Sequence, residues 1–130
     1  MAMTNKIILA PISLGELIDK ITILQIKSDY LKGTALVNVR NELLALDKIL
    51  KSLGLQVNPE LIQCLKEVNH KLWQIEDAIR YQEKNKRFDE SFVNLARSVY
   101  RTNDRRAAIK KEINISYGSA FIEEKSYQNY

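Results

Sequence analysis

Apolar residues recur every three or four positions along most of the chain, the period of helices that each bury one side. From Leu14 the series Leu17, Ile18, Ile21, Leu24 and Leu31 stays on one side of a helix at 100° per residue. Ile23, Ile26 and Tyr30 fall nearly opposite. A helix with two apolar faces has to bury both, so this first helix is either central or part of a subunit contact. Ser13 and Glu16 stand at the spacing of a capping box, in which the hydroxyl accepts from the amide three residues on and the carboxylate turns back to the cap amide. Gly33 offers a stop.

The second helix is predicted from about Leu36 to Leu53, ahead of Gly54, with Val39, Leu43, Leu46, Leu50 and Leu53 forming the seam of a packed hairpin. Asn58-Pro59-Glu60 then carries three start signals: a capping amide, a proline in the first turn and an acid at the positive end of the dipole. A third helix continues from there to Asn85, on the order of 40 Å, with the stripe Leu61, Leu65, Val68, Leu72, Ile75 and Ile79. Asp89 caps a fourth, with Phe92, Leu95, Val99, Ile109 and Ile113 facing inward and Gly118 at its end. Lys6 to Ile12 is apolar, β-branched and stopped at Pro11, so it reads as an extended arm, and Ser119 to Tyr130 reads as an extended tail. The expected fold is all-α, a four-helix bundle with an N-terminal arm and a C-terminal tail, as one domain over 1–130.

Composition narrows the chemistry more than the architecture. Only four Gly and two Pro argue against a many-stranded fold. One Cys (Cys64) and one His (His70) exclude an intrachain disulfide and a zinc site made of Cys and His alone. Cys64 flanks the third stripe and reads as a small buried hydrophobe; His70 lies off it and reads as facing solvent. The net charge of +4 is evenly spread: residues 1–33, 34–57, 58–87 and 88–130 each hold one more basic than acidic side chain. Residues 1–15 have neither a secretory signal nor a membrane anchor, so a cytoplasmic protein with a reduced thiol is expected. Neither GxxxxGK[ST] nor GxGxxG occurs, and no cofactor is called for.

Polar residues that interrupt the stripes carry the functional signal, because a buried charge costs several kcal/mol unless it is paired. On the fourth helix these are Asn103, Arg106 and Lys110; on the third they are Asn69, Glu76, Arg80 and Glu83, with Trp73 among them. In an antiparallel hairpin Glu76 or Glu83 could pair with Arg106. One reading is a buried structural salt-bridge network. The other is a polar cleft lined by Arg80, Asn103, Arg106 and Lys110, with Glu76 orienting the arginines and Asn69 and Trp73 beside it, that receives an anionic group through the forked arginine donors. Such chemistry fits binding better than turnover.

A rival reading is enzymatic. Glu16 and Asp19 on the first helix, with Glu76 and Asp77 on the third, could share Mg²⁺ as in all-α nucleotide pyrophosphohydrolases, against which Lys20 and Lys27 stand nearby. A third reading is nucleic-acid binding along Arg97, Arg101 and Arg105, with Lys111 close by; a solvated basic face without aromatic or groove-reading elements accounts for that stripe as well. For assembly, Ile23, Ile26 and Tyr30 with Ala120, Phe121 and Ile122 form a patch that predicts a homodimer through the first helix, or burial under the arm and tail.

The string from Pro11 to Lys27, P-I-S-L-G-E-L-I-D-K-I-T-I-L-Q-I-K, resembles the opening signature of a small helical domain family of bacteria and phages, and the strings over 95–114 and 123–127 resemble it too. The resemblance spans nearly the whole chain and implies no assigned activity. Some members accompany surface-polysaccharide or glycosyltransferase genes, which implies at most an accessory role. Asn69, Leu72, Trp73, Glu76, Asp77 and Arg80, followed by Asn103, Asp104 and Arg106, are similar to a pattern in a second helical family, confined to the third and fourth helices.

Overall fold

The computed structural model describes residues 6–130 and contains four helices: α1 (Leu14–Tyr30), α2 (Gly33–Ser52), α3 (Pro59–Lys84) and α4 (Glu90–Ser116), with no strand among the described residues. Residues 1–5, the opening of the expected domain and of the segment weighed for a leader, lie outside them. Three helices start where local chemistry says they should. The Ser13 hydroxyl accepts from the Glu16 amide at 3.0 Å, Asn58 Oδ1 from Glu60 at 3.0 Å and Asp89 Oδ1 from Phe92 at 3.3 Å. Glu16, however, does not turn back to complete a capping box. Its Oε2 accepts from Lys110 Nζ on α4 at 2.7 Å, because a neighbouring ammonium is a stronger partner than the cap amide.

Gly33 has a different part from the one expected. The first helix already ends at Tyr30, Leu31 and Lys32 are extended, and Gly33 opens α2 three residues before Leu36, its φ of +63° turning the chain between the helices. α3 and α4 form an antiparallel hairpin, tied near its tip where Gln82 Nε2 donates to Ser91 Oγ at 2.9 Å. α1 lies against both, and α2 packs along α1 on the remaining side. That makes α1 the central helix, one of the two places its apolar faces allowed: nine of its seventeen residues are buried. Leu14, Ile18, Leu65 and Ile113 form the tightest cluster, closed by Leu50 from α2 and by Val57, Ile62, Ile109 and Tyr117.

The patch expected to join two subunits is only partly used within the chain, and Tyr30 keeps an exposed edge. Ile26 is buried, Ile23 is half-buried and Tyr30 stacks on Trp73 with ring centroids 5.0 Å apart, while Phe121 and Ile122 stay exposed. Cys64, expected inside, is exposed. It sits next to Leu65, which is wholly buried, and one residue is a 100° turn around the helix. The tail runs back along α4. Glu123 reaches Lys110 at 3.0 Å and Glu124 reaches Lys111 at 3.6 Å, and the Tyr130 hydroxyl donates to Asp104 while its ring meets Tyr100 edge-on. No described helix is long and apolar enough to cross a membrane.

Where α1 crosses α4, Gly15 lets the two backbones touch. Its amide donates to Asn114 Oδ1 at 2.7 Å, and an added Cβ would stand 2.6 Å from the Lys110 carbonyl oxygen. Backbone cannot swing aside as a side chain can, so a methyl group here forces the helices apart. Gly15→Ala is expected to lower stability by about 1–2 kcal/mol net, crowding outweighing a gain of about 1 kcal/mol in helix propensity. Urea unfolding followed by circular dichroism measures it.

Candidate functional site: an ion network beneath an interhelical cleft

The register of the α3–α4 hairpin sets Asn69 near Arg106 and leaves Glu76 two turns further along α3. The expected Glu76–Arg106 pair therefore does not form. Glu76 instead accepts from Arg80 Nε within its own helix at 3.2 Å, where both side chains are exposed. Nor does Glu83 pair with Arg106. Arg106 finds its partner on α1: Nε donates to Asp19 Oδ1 at 2.9 Å and Nη2 donates to Asp19 Oδ2, the two-pronged geometry that suits guanidinium and carboxylate.

Asp19 is almost wholly buried, and every part of its carboxylate is met. Asn69 Nδ2 donates to Oδ1 at 2.9 Å and to Thr22 Oγ1 at 2.9 Å, and Thr22 in turn donates to the Asp19 carbonyl at 2.9 Å. Lys110 Nζ lies 3.7 Å from Oδ2, 2.7 Å from Glu16 and 3.0 Å from Glu123, so one ammonium serves carboxylates from α1 and the tail. Burial pushes the Asp19 carboxyl up, yet hydrogen bonds from Arg106 and Asn69 and the charges of Arg106 and Lys110 outweigh it and hold its pKa below the usual value. For Lys110, burial acts downward and is outweighed by the bonds to Glu16 and Glu123, so its pKa is raised. The Lys110 ammonium holds Glu123 below the usual carboxylate range.

Beside this network opens a cleft of about 480 Å³ between α1, α3 and α4, lined by Ile23, Lys27, Asn69, Leu72, Trp73, Glu76, Asp77, Arg80 and Arg106. Network and cleft are thus both present and share Asn69 and Arg106. Of the residues expected around one pocket, Asn69, Trp73, Glu76, Arg80 and Arg106 line the cleft; Asn103, half-buried on α4, does not, and Lys110 turns to the carboxylates instead. Sequence reasoning missed Lys27, and it missed Asp19 as the partner of Arg106. A signal for Asp19 existed: at 100° per residue it falls between Ile26 and Tyr30, on the second apolar face of α1, where a carboxylate needs a partner. His70, expected in open solvent, is half-buried and shares a hydrogen bond with the Tyr30 hydroxyl at 2.9 Å.

Three of the four acids weighed for Mg²⁺ are held by cations, Glu16 by Lys110, Asp19 by Arg106 and Lys110, and Glu76 by Arg80, and Asp77 lines the cleft. Among the described residues no three His, Cys, Asp or Glu stand together as a metal site. Fold and site together define an all-α four-helix protein with an ion-paired centre. The chain belongs to a family of unknown function, DUF6165, whose model matches residues 8–130. No curated protein and no solved structure matches it.

Asp19→Asn keeps the shape but leaves the guanidinium without its counter-charge. The expected loss at pH 7 is about 3 kcal/mol, the lower end for breaking a buried pair because Arg106 keeps some solvent contact. Since the Asp19 pKa is depressed on folding, its stabilisation is complete above the unfolded value of about 3.9 and disappears as pH falls through the folded value. The wild type should therefore lose stability steeply below about pH 4, and Asp19→Asn should show a flatter acid limb. Urea midpoints measured from pH 3 to pH 7 test both.

Proposed function

We propose that the protein is a non-enzymatic binding or accessory protein whose α1–α3–α4 cleft takes a small organic anion with an apolar body. The observation that carries this reading is the mixed lining: Lys27 and the free part of Arg106 beside Ile23, Leu72 and Trp73. A guanidinium has five N–H donors, and the pair with Asp19 uses two, so Arg106 keeps donors for a further acceptor. Asp19 already balances the Arg106 charge and Asp77 sets a carboxylate against Lys27 on the same lining, so Lys27 and the remaining Arg106 donors fix the anion locally rather than through a net positive field, and the apolar wall supplies the contact area. Arg80 and Glu76 form an exposed pair at the rim. The Mg²⁺-dependent hydrolase reading has less support, because Lys110 and Arg106 hold two of the acids it needs. A cytoplasmic setting and a bacterial or phage source accompany the proposal.

Trp73 is the chain's one tryptophan and lines the cleft, so its fluorescence reports occupancy. Titration with 8-anilinonaphthalene-1-sulfonate, an aromatic body bearing one sulfonate, should quench it saturably. Lys27→Glu should weaken binding about tenfold, roughly 1.4 kcal/mol. Equal binding by that variant, or quenching without saturation, would sink the proposal.

The protein is also proposed to be a homodimer, with α2 and the arm offering apolar side chains besides the exposed Tyr30, Phe121 and Ile122 of the α1 patch. Val37 and Leu44, seven residues apart on one side of α2, are exposed, and so are Ile7, Ile8 and Leu9 in the arm. Sedimentation should give a dimer for the wild type and a monomer for Leu44→Glu.

A further inference from the structure

The opposite side of the α3–α4 hairpin carries a second concavity, about 370 Å³, that shares no residue with the cleft. Arg97, Arg101 and Arg105 line it from α4 and Lys71 lines it from α3. The three arginines stand at i, i+4 and i+8, about 6 Å apart along the helix and about 12 Å end to end. No carboxylate lines the groove; its other residues are Asn94, Ser98 and Thr102.

Elsewhere on the hairpin and tail, five cations are matched with acids, Arg80 with Glu76, Arg87 with Asp89, Arg106 and Lys110 with Asp19, and Lys111 with Glu124, while the lysines without an ion pair there, Lys66, Lys84, Lys86 and Lys125, line no common concavity with one another. Lys71, Arg97, Arg101 and Arg105 make no ion pair among the described residues. Asp104, the acid next in sequence to Arg105, is taken by the Tyr130 hydroxyl and lines a different concavity. Lys111, which the sequence set beside this stripe, is held by Glu124 outside the groove. Like charges at i, i+4 destabilise a helix, and a fourth cation facing them adds to the repulsion. An anion seated among them relieves it.

We infer that this groove is a binding site for a compact oligophosphate, two or more linked phosphoryl groups, either free or at the end of a larger molecule. Guanidinium forks match phosphate oxygens two at a time, and a row of three suits a chain of phosphates better than one isolated ion. The volume is at the small end of small-molecule sites. No aromatic side chain lines the groove, so it lacks the stacking platforms with which proteins hold single-stranded nucleic acid.

Calorimetric titration of the full chain with tripolyphosphate, at low and moderate salt, is the test. The expected result is saturable binding that weakens as salt rises, with orthophosphate at least tenfold weaker. Arg101→Gln and Lys71→Gln, both at exposed positions, should each reduce affinity about tenfold with unchanged circular dichroism, while Lys27→Glu should bind as the wild type does. A parallel titration with a nucleoside triphosphate identifies the source: equal affinity means the phosphate chain alone is read, and tighter binding means it is the end of a larger ligand. Unchanged affinity in both groove variants, orthophosphate binding as tightly as tripolyphosphate, or a single-stranded oligonucleotide binding far more tightly than either would overturn the inference. Because the variants of the two sites are disjoint, this failure is distinct from failure of the cleft.

Discussion

The Asp19 carboxylate is the contact around which the remaining geometry is arranged. A carboxylate carried into the interior on the central helix is tolerable only if both oxygens are met by donors and the charge is opposed. Arg106 meets it with two prongs, which fixes both the distance between α1 and α4 and the rotation of α4 about its axis. Asn69 brings α3 to the same carboxylate. Lys110 passes the charge balance outward to Glu16 and Glu123, so the tail is held by an extension of the same network. Close approach of α1 to α4 at Gly15 is what brings these side chains within reach.

This constraint also distributes charge over the surface. With Arg106 balanced from within, the α1–α3–α4 cleft presents Lys27, Asp77 and the Arg80–Glu76 pair against an apolar wall. The outer groove of the same hairpin has no such internal acid, and four cations stay unbalanced there. A net charge of +4, spread evenly along the chain, thus becomes uneven in space. Hairpin register and helix rotation do this, because residues close in sequence are divided between two sides: Arg105 faces the groove and Arg106 faces Asp19.

What the sequence determined by itself is what depends on near neighbours. Helix starts at Ser13, Asn58 and Asp89 are set by capping within three residues, the stripes by a 100° rotation, and the need of α1 to cover two faces by its apolar residues on opposing sides. The polar residues at Asn69 and Arg106 could be singled out because they break those stripes. Tertiary structure decided which of them meet. A pair such as Glu76 with Arg106 depends on hairpin register, and two turns of offset, about 11 Å, abolish it. The partnership of Asp19 with Arg106 joins helices separated by 87 positions, and no local preference encodes it. Cys64 and Lys27 show the same limit at the scale of one residue: a step along a helix turns a side chain by 100°, enough to move it between core, cleft and solvent.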